Sequence, residues 1–136
     1  MHKTVPPERE LYRLATEVAQ HAHAPYSSFP VGCVIVDKAN SVHTGCNVEN
    51  ASFGLTLCAE RVAAGSAIAA GAKKFKTVIV ASKDAVSPCG ACRQVLAEFS
   101  DSETTIVQID LQQNQQAIFR LSELLPNQFT FQSKPT

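Results

Sequence analysis

The sequence predicts an α/β fold in three layers, a mixed five-stranded sheet with helices on both faces. Three observations carry this. Short apolar runs rich in β-branched residues alternate along the chain with segments of helical periodicity, the pattern of a layered sheet rather than a bundle. Residues 77–109 read as strand, helix, strand, which makes a parallel pair joined by a right-handed crossover. The link between the fourth and fifth strands, residues 110–116, is too short for such a crossover, which takes about a dozen residues or more. Strands four and five are therefore expected to form an antiparallel hairpin.

Residues 6–23 read as the first helix. Pro6 and Pro7 are tolerated in a first turn. Leu11, Leu14, Ala15, Val18 and Ala22 recur at helical spacing, and Pro25 ends the run. Residues 31–36 form a nearly continuous apolar run, expected as a buried strand. Asp37 to Asn40 make a turn, and residues 41–47 return as the second strand. Residues 50–57 are a loop into an Ala-rich helix at 58–71, with Gly65 and Gly71 as close-packing or terminating positions. Residues 77–82 form the third strand and 83–88 a loop. A helix over 89–99 turns Val95, Leu96 and Phe99 inward, and 104–109 is the fourth strand. The polar run from Gln112 to Gln116 reads as a solvated turn. Residues 117–120 make the fifth strand, and 121–125 a helical turn stopped by Pro126. No repeat or domain boundary is visible, so one domain over residues 1–136 is expected.

Composition narrows the function. Twelve basic residues balance twelve acidic ones. That leaves no electrostatic footprint for a nucleic-acid backbone and points to a small, roughly neutral substrate. No apolar run reaches the ~18 residues of a spanning helix, and the N-terminal segment lacks the apolar core of a signal peptide. No nucleic-acid or membrane partner is expected, and the location expected is cytoplasmic. The cysteines are Cys33, Cys46, Cys58, Cys89 and Cys92. An odd count in such a chain favours metal binding and reduced thiols over disulfides. Cys33 and Cys46 sit in strand-like contexts and read as small core residues.

The chemistry lies in Cys58-Ala59-Glu60 and, about thirty residues on, Pro88-Cys89-Gly90-Ala91-Cys92. Three thiolates can hold a zinc ion and leave a fourth tetrahedral position open. A glutamate two residues from a ligand can move the protons of water in that position. Each cysteine motif falls where a loop enters a helix, and helix N-termini stabilise thiolates. Three thiolates give a zinc site net negative charge, so a compensating cation is expected. Arg61 is the candidate donor to the sulfurs; a solvated helix arginine is the alternative. A structural zinc would need a fourth protein ligand, and His2, His21, His23 and His43 lie away from both motifs. A thioredoxin-like Cys89–Cys92 redox pair would leave Cys58 and Glu60 without a role. Glu60 alone would read as a glutamate favoured at a helix start.

Taken together, these residues resemble the small, homotetrameric, zinc-dependent cytidine deaminases, in which Cys-x-Glu replaces the more common His-x-Glu of zinc deaminases. The resemblance runs through residues 24–32, Gly45 to Ser52, Cys58 to Arg61, Val86 to Val95 and Glu123 to Pro126, and covers roughly residues 8–129. It implies the cytidine deaminase-like form of the α/β/α fold, one Zn²⁺ per chain on Cys58, Cys89 and Cys92, and Glu60 as the catalytic proton carrier. It implies that Asn47 and Glu49 recognise the ribose, that Phe29 packs on the pyrimidine, and that Phe129 reaches into a neighbouring subunit's site. It also implies that the Ser87 carbonyl accepts from the exocyclic amine and that the Ala59 N–H donates to the base carbonyl. The chain departs from the family pattern at Phe53, where Tyr is expected, at apolar Leu57 before the first ligand, and in the tail after Phe129.

The activity implied is hydrolytic deamination of cytidine and deoxycytidine in pyrimidine salvage, with a pyrimidine nucleoside as the partner molecule. The alternatives within the superfamily are deaminases of N4-modified cytidines or of blasticidin S. From another class, a non-catalytic zinc-binding module would keep the cysteines but has no need of Glu60.

Overall fold

A computed structural model describes residues 3–131 of the chain. The elements, in order, are α1 (Glu8–Ala19), β1 (Gly32–Asp37), β2 (Val42–Cys46), a 3₁₀ turn (Phe53–Leu55), α2 (Ala59–Ala69), β3 (Phe75–Ser82), α3 (Gly90–Glu98), β4 (Thr105–Asp110), β5 (Gln115–Arg120) and α4 (Leu121–Leu124). The sheet order is β2-β1-β3-β4-β5. β3 and β4 are parallel, and β4 and β5 are antiparallel, with Val107 opposite Ile118. The mixed sheet and its closing hairpin are as the sequence predicts.

Side chains alternate across the sheet. Val34 and Val36 of β1 join Ile79, Ala81, Val107 and Ile109 beneath Leu11 and Ala15 of α1. Cys33 and Ile35 face the other way, with Val78, Val80 and Ile106, against Ala63, Ala64 and Ala67 of α2 and Leu96 of α3. Each large apolar side chain buried in these layers contributes about 1.5–3 kcal/mol. Two glycines set the layer spacing. A Cβ on Gly32 would fall 2.0 Å from the Ala15 carbonyl oxygen, and one on Gly45 would fall 2.3 Å from the Ala63 nitrogen. Both helices thus lie directly on the strands. The second contact fixes the first turns of α2, where the cysteine motif begins.

Several boundaries differ from the sequence expectation. α1 stops at Ala19 rather than residue 23, because Gln20, His21 and Ala22 donate to carbonyls three residues back, those of Glu17, Val18 and Ala19. His23 is not helical. It forms an isolated bridge with Val48, taking the N–H of Glu49 and donating to the Asn47 carbonyl. β3 starts at Phe75, whose N–H donates to the Phe99 carbonyl, two residues before the β-branched run that marks the strand in sequence. β5 starts at Gln115, so part of the glutamine-rich run is strand and not turn. Pairing to β4 outweighs the low strand propensity of those residues there. Tail residues 132–136 lie outside the described residues.

Candidate active site

α2 and α3 start side by side on one face of the sheet. Cys58 is the cap residue of α2 and Cys89 that of α3, both in extended backbone, while Cys92 lies in the first turn of α3. The three sulfurs lie within 4.8 Å of one another. Sulfurs ~2.3 Å from a common tetrahedral ion stand about 3.8 Å apart, so the trio needs little adjustment to share one. The Cys89 Sγ accepts from the Cys92 N–H at 3.4 Å. Burial opposes ionisation of Cys89, but this N–H, its neighbouring thiols and the Ala91 N–H outweigh it and lower the pKa. Cys92 is fully buried, and burial, with the Glu60 charge nearby, pushes its thiol up. A divalent cation would relieve that penalty, since a coordinating thiol is deprotonated outright.

Glu60 follows the Cys58 cap and is 5% exposed. Burial pushes its carboxyl above the usual range, while its own N–H, the Cys92 thiol and Arg61 draw it partly back. Arg61 turns towards the sulfurs, with Nη2 3.0 Å from the Thr56 carbonyl and 3.9 Å from the Cys58 Sγ. The Cys58 thiol raises its pKa. Its Nε is buried without a hydrogen-bond partner among the described residues. A half-buried guanidinium with a spare donor beside three thiols suits an anionic thiolate cluster. The donor set, three sulfurs on two helix starts with a compensating cation, fits one zinc ion per chain.

Asn47, Glu49 and Phe29 belong to a second group. Asn47 is buried and braces the loop before β1. Its Oδ1 accepts from the Val31 N–H at 2.8 Å, and its Nδ2 donates to the Phe29 carbonyl at 2.9 Å. Glu49 accepts through Oε1 from the N–H groups of Tyr26 and Ser27 at 2.9 and 3.2 Å, and through Oε2 from the Ser27 hydroxyl. Those bonds, that of the Ser27 hydroxyl first, hold its carboxyl below the usual range. Glu49, Tyr26, Ser27, Phe53 and Thr56 line an open pocket of about 290 Å³. Ala59 is buried in the first turn of α2, where no intrahelical carbonyl is available to its N–H. Phe129 stands apart from this pocket. It is 69% exposed and packs edge-on against Phe131 at 5.7 Å. A larger cavity, about 440 Å³, is lined by Asp37, His43, Ala70 and Lys73, at the ends of β2 and α2 opposite the cysteines.

Two structural residues are missing from the sequence reading. Ser27 relays Glu49 to the loop, its hydroxyl accepting from the Phe29 N–H at 3.0 Å. Arg93 spans the Ser87–Pro88 turn and α4. The signal for Arg93 in the sequence is its place next to Cys92, which says nothing of an acceptor in α4, at Leu124.

The family model for the cytidine and deoxycytidylate deaminase zinc-binding region matches residues 6–108. The chain belongs to this deaminase family. Its relatives include a cytidine deaminase of Halalkalibacterium halodurans, 43% identical over 122 residues that span 88% of this chain and 92% of the relative. A probable cytidine deaminase of Dictyostelium discoideum is 45% identical over 82% of this chain and 76% of its own length. Among solved structures, a Burkholderia pseudomallei cytidine deaminase superposes with a TM-score of 0.85 at 38% identity, covering 90% of this chain and 99% of the other. The alternative of a non-catalytic zinc-binding module is thereby set aside.

Proposed function

We propose that the chain catalyses hydrolytic deamination of cytidine and deoxycytidine, giving uridine or deoxyuridine and ammonia. The observation that carries this reading is the buried carboxylate of Glu60 beside the three-cysteine cluster. Water and cytidine yield uridine and ammonia, so the site must move protons to the ring N3 and to the leaving amine. Bound zinc supplies the Lewis acidity that makes water nucleophilic near neutral pH. Cys58, Cys89 and Cys92 hold the ion. Glu60 takes a proton, gives it to N3 and then serves the leaving amine. Burial, which raises its proton affinity, suits it to both tasks. Arg61, donating to the Cys58 sulfur, offsets the charge of the thiolates.

Substrate placement follows the second group. The Ser87 carbonyl accepts from the exocyclic amine, the Ala59 N–H donates to the base carbonyl, and Phe29 packs on the pyrimidine. Asn47 and Glu49 recognise the ribose. Each already holds the loop at 26–31, and each retains unused hydrogen-bonding capacity for a sugar hydroxyl. The working form is a homotetramer. Phe53 and Leu55 are 71% and 66% exposed beside the pocket, and covering such apolar surface gains about 25 cal/mol per Å². Phe129 is the contribution of a neighbouring subunit. The protein acts in the cytoplasm, in pyrimidine salvage; no helix among the described residues is long and apolar enough to cross a membrane.

The test is release of the C4 amine: ammonia from cytidine, deoxycytidine, cytidine monophosphate, cytosine and blasticidin S, and methylamine from N4-methylcytidine. Cytidine and deoxycytidine should turn over best, and the monophosphate poorly, because Glu49 repels a nearby phosphate. Release from blasticidin S alone would transfer the function to that substrate.

A further inference from the structure

The guanidinium of Arg93 makes three hydrogen bonds to three separate acceptors. Nε donates to the Pro88 carbonyl at 2.8 Å, Nη2 to the Ser87 Oγ at 2.6 Å, and Nη1 to the Leu124 carbonyl at 2.6 Å. Two of these acceptors belong to the turn just before Cys89. The third belongs to α4, thirty-one residues further along the chain. The next residue, Gln94, extends the same link, its Nε2 donating to the Phe129 carbonyl at 3.4 Å.

The turn needs such a hold. Residues 83–88 form no helix or strand, and Ala85 takes a positive φ of 49°. At its near end the Ser82 hydroxyl accepts from the Val86 N–H at 3.2 Å. At its far end the Arg93 fork takes over. The Arg side chain is suited to this because its donors lie in one rigid plane and lose little freedom per bond. Lysine, with a single ammonium, cannot reach three acceptors spread in that way.

We propose that Arg93 is a positioning residue for the leaving group: by fixing the Ser87–Pro88 turn against α4, it sets where the Ser87 carbonyl meets the exocyclic amine. The inference rests on the deaminase reading and adds a specificity role to it. With the carbonyl fixed, the site accepts a primary amine and crowds out a substituted one. With the turn released, both the alignment of the amine and the exclusion of its substituents weaken. A misplacement of about 1 Å at a reacting group costs up to about a hundredfold in rate.

The experiment compares wild type, Arg93→Lys and Ser87→Ala with cytidine and N4-methylcytidine, alongside zinc content and melting temperature. Arg93→Lys should keep one zinc per chain. Its kcat on cytidine should fall about tenfold or more while KM moves less than about threefold. Its preference for cytidine over N4-methylcytidine should narrow several-fold. Ser87→Ala, which removes one of the three acceptors, should shift the same quantities in the same direction by less. Wild-type kcat and unchanged preference in Arg93→Lys would overturn the proposal. So would loss of zinc and an early melt with no change in preference, since that marks a merely structural role. A wild-type protein inert towards cytidine would instead overturn the deaminase reading.

Discussion

The two halves of the site are built in opposite ways. The metal half is assembled within one chain, with Cys58, Glu60, Arg61, Cys89 and Cys92 on two adjacent helix starts, and Glu60 and Cys92 are buried. The proposed substrate half is loop-borne and open, with Tyr26, Phe53 and Leu55 exposed around the pocket and Phe129 exposed apart from it. Groups that move protons and hold a cation need a fixed, low-dielectric setting, and one chain's core supplies it. Groups that recognise a nucleoside can stay open until another surface closes over them. The contrast predicts that changes in the metal half act mainly on kcat and metal content, and changes in the substrate half on KM and assembly.

The largest effect is expected from removing a ligand. Cys89→Ala should carry well under one zinc per chain by metal analysis and lose turnover. Full zinc content with unchanged affinity would break the proposed ligand set. Glu60→Gln comes next and should separate metal from chemistry. It keeps the shape and the zinc, while kcat falls by about 10²–10⁴-fold, the usual range for a general acid–base group, or beyond it for one that serves several transfers. A variant within a few-fold of wild type would remove Glu60 from the mechanism.

The same contrast explains what the sequence made legible. Cys-x-Glu and Pro-Cys-x-x-Cys are local spacings on helix starts, so both the ligands and their common direction could be read along the chain. The β4–β5 hairpin was legible too, because a short link forbids a crossover. The substrate half depends on contacts between distant segments. That Asn47 braces Phe29 and Val31, or that Glu49 grips Tyr26 and Ser27, follows from the bridges His23–Val48 and Val48–Leu57. No periodicity announces such bridges. α1 is shorter than its periodicity predicts for a related reason. Residues 20–23 keep helical spacing, but the backbone of His23 is taken by Asn47 and Glu49.

An intermediate effect is expected where the substrate half meets its surroundings. Leu55→Asp places a charge on the exposed apolar rim and should shift the mass by light scattering from tetramer towards smaller species. A wild-type monomer of full activity would refute both the assembly and the shared site. Asn47→Ala should lower stability by about 1–3 kcal/mol, the cost of leaving buried polar groups unpaired, with chemical denaturation as the measure. Glu49 carries a pH signature. A carboxyl held below its ordinary value of 4.5 stabilises the folded turn fully above that value and loses this as pH falls through the lower folded pKa. The stability difference between wild type and Glu49→Gln should therefore be flat near neutrality and shrink only in acid below pH 4.5.

The smallest effect is expected at Phe129, and it bears most directly on how the open half is completed. Within its own chain the ring touches Phe131, and its backbone carbonyl is the point held by Gln94. Phe129→Ala should leave zinc, kcat and melting temperature near wild type and raise KM for cytidine a few-fold, since partial cover of a ligand by the ring gains only a fraction of the about 1.5–3 kcal/mol that full burial of a Phe side chain is worth. A rise in KM alone does not say whose site the ring serves. Mixed assemblies do. When Phe129→Ala and Glu60→Gln chains are unfolded and refolded together, no chain carries both an intact Glu60 and an intact Phe129. If the ring serves its own chain, every active site in the mixture keeps the high KM. If it serves a neighbour, sites with Glu60 from one chain receive Phe129 from the other, and a low-KM fraction returns. Its return would place the missing wall of the open half on the adjoining subunit; its absence, in assemblies shown to be mixed, would place Phe129 outside the neighbour's site.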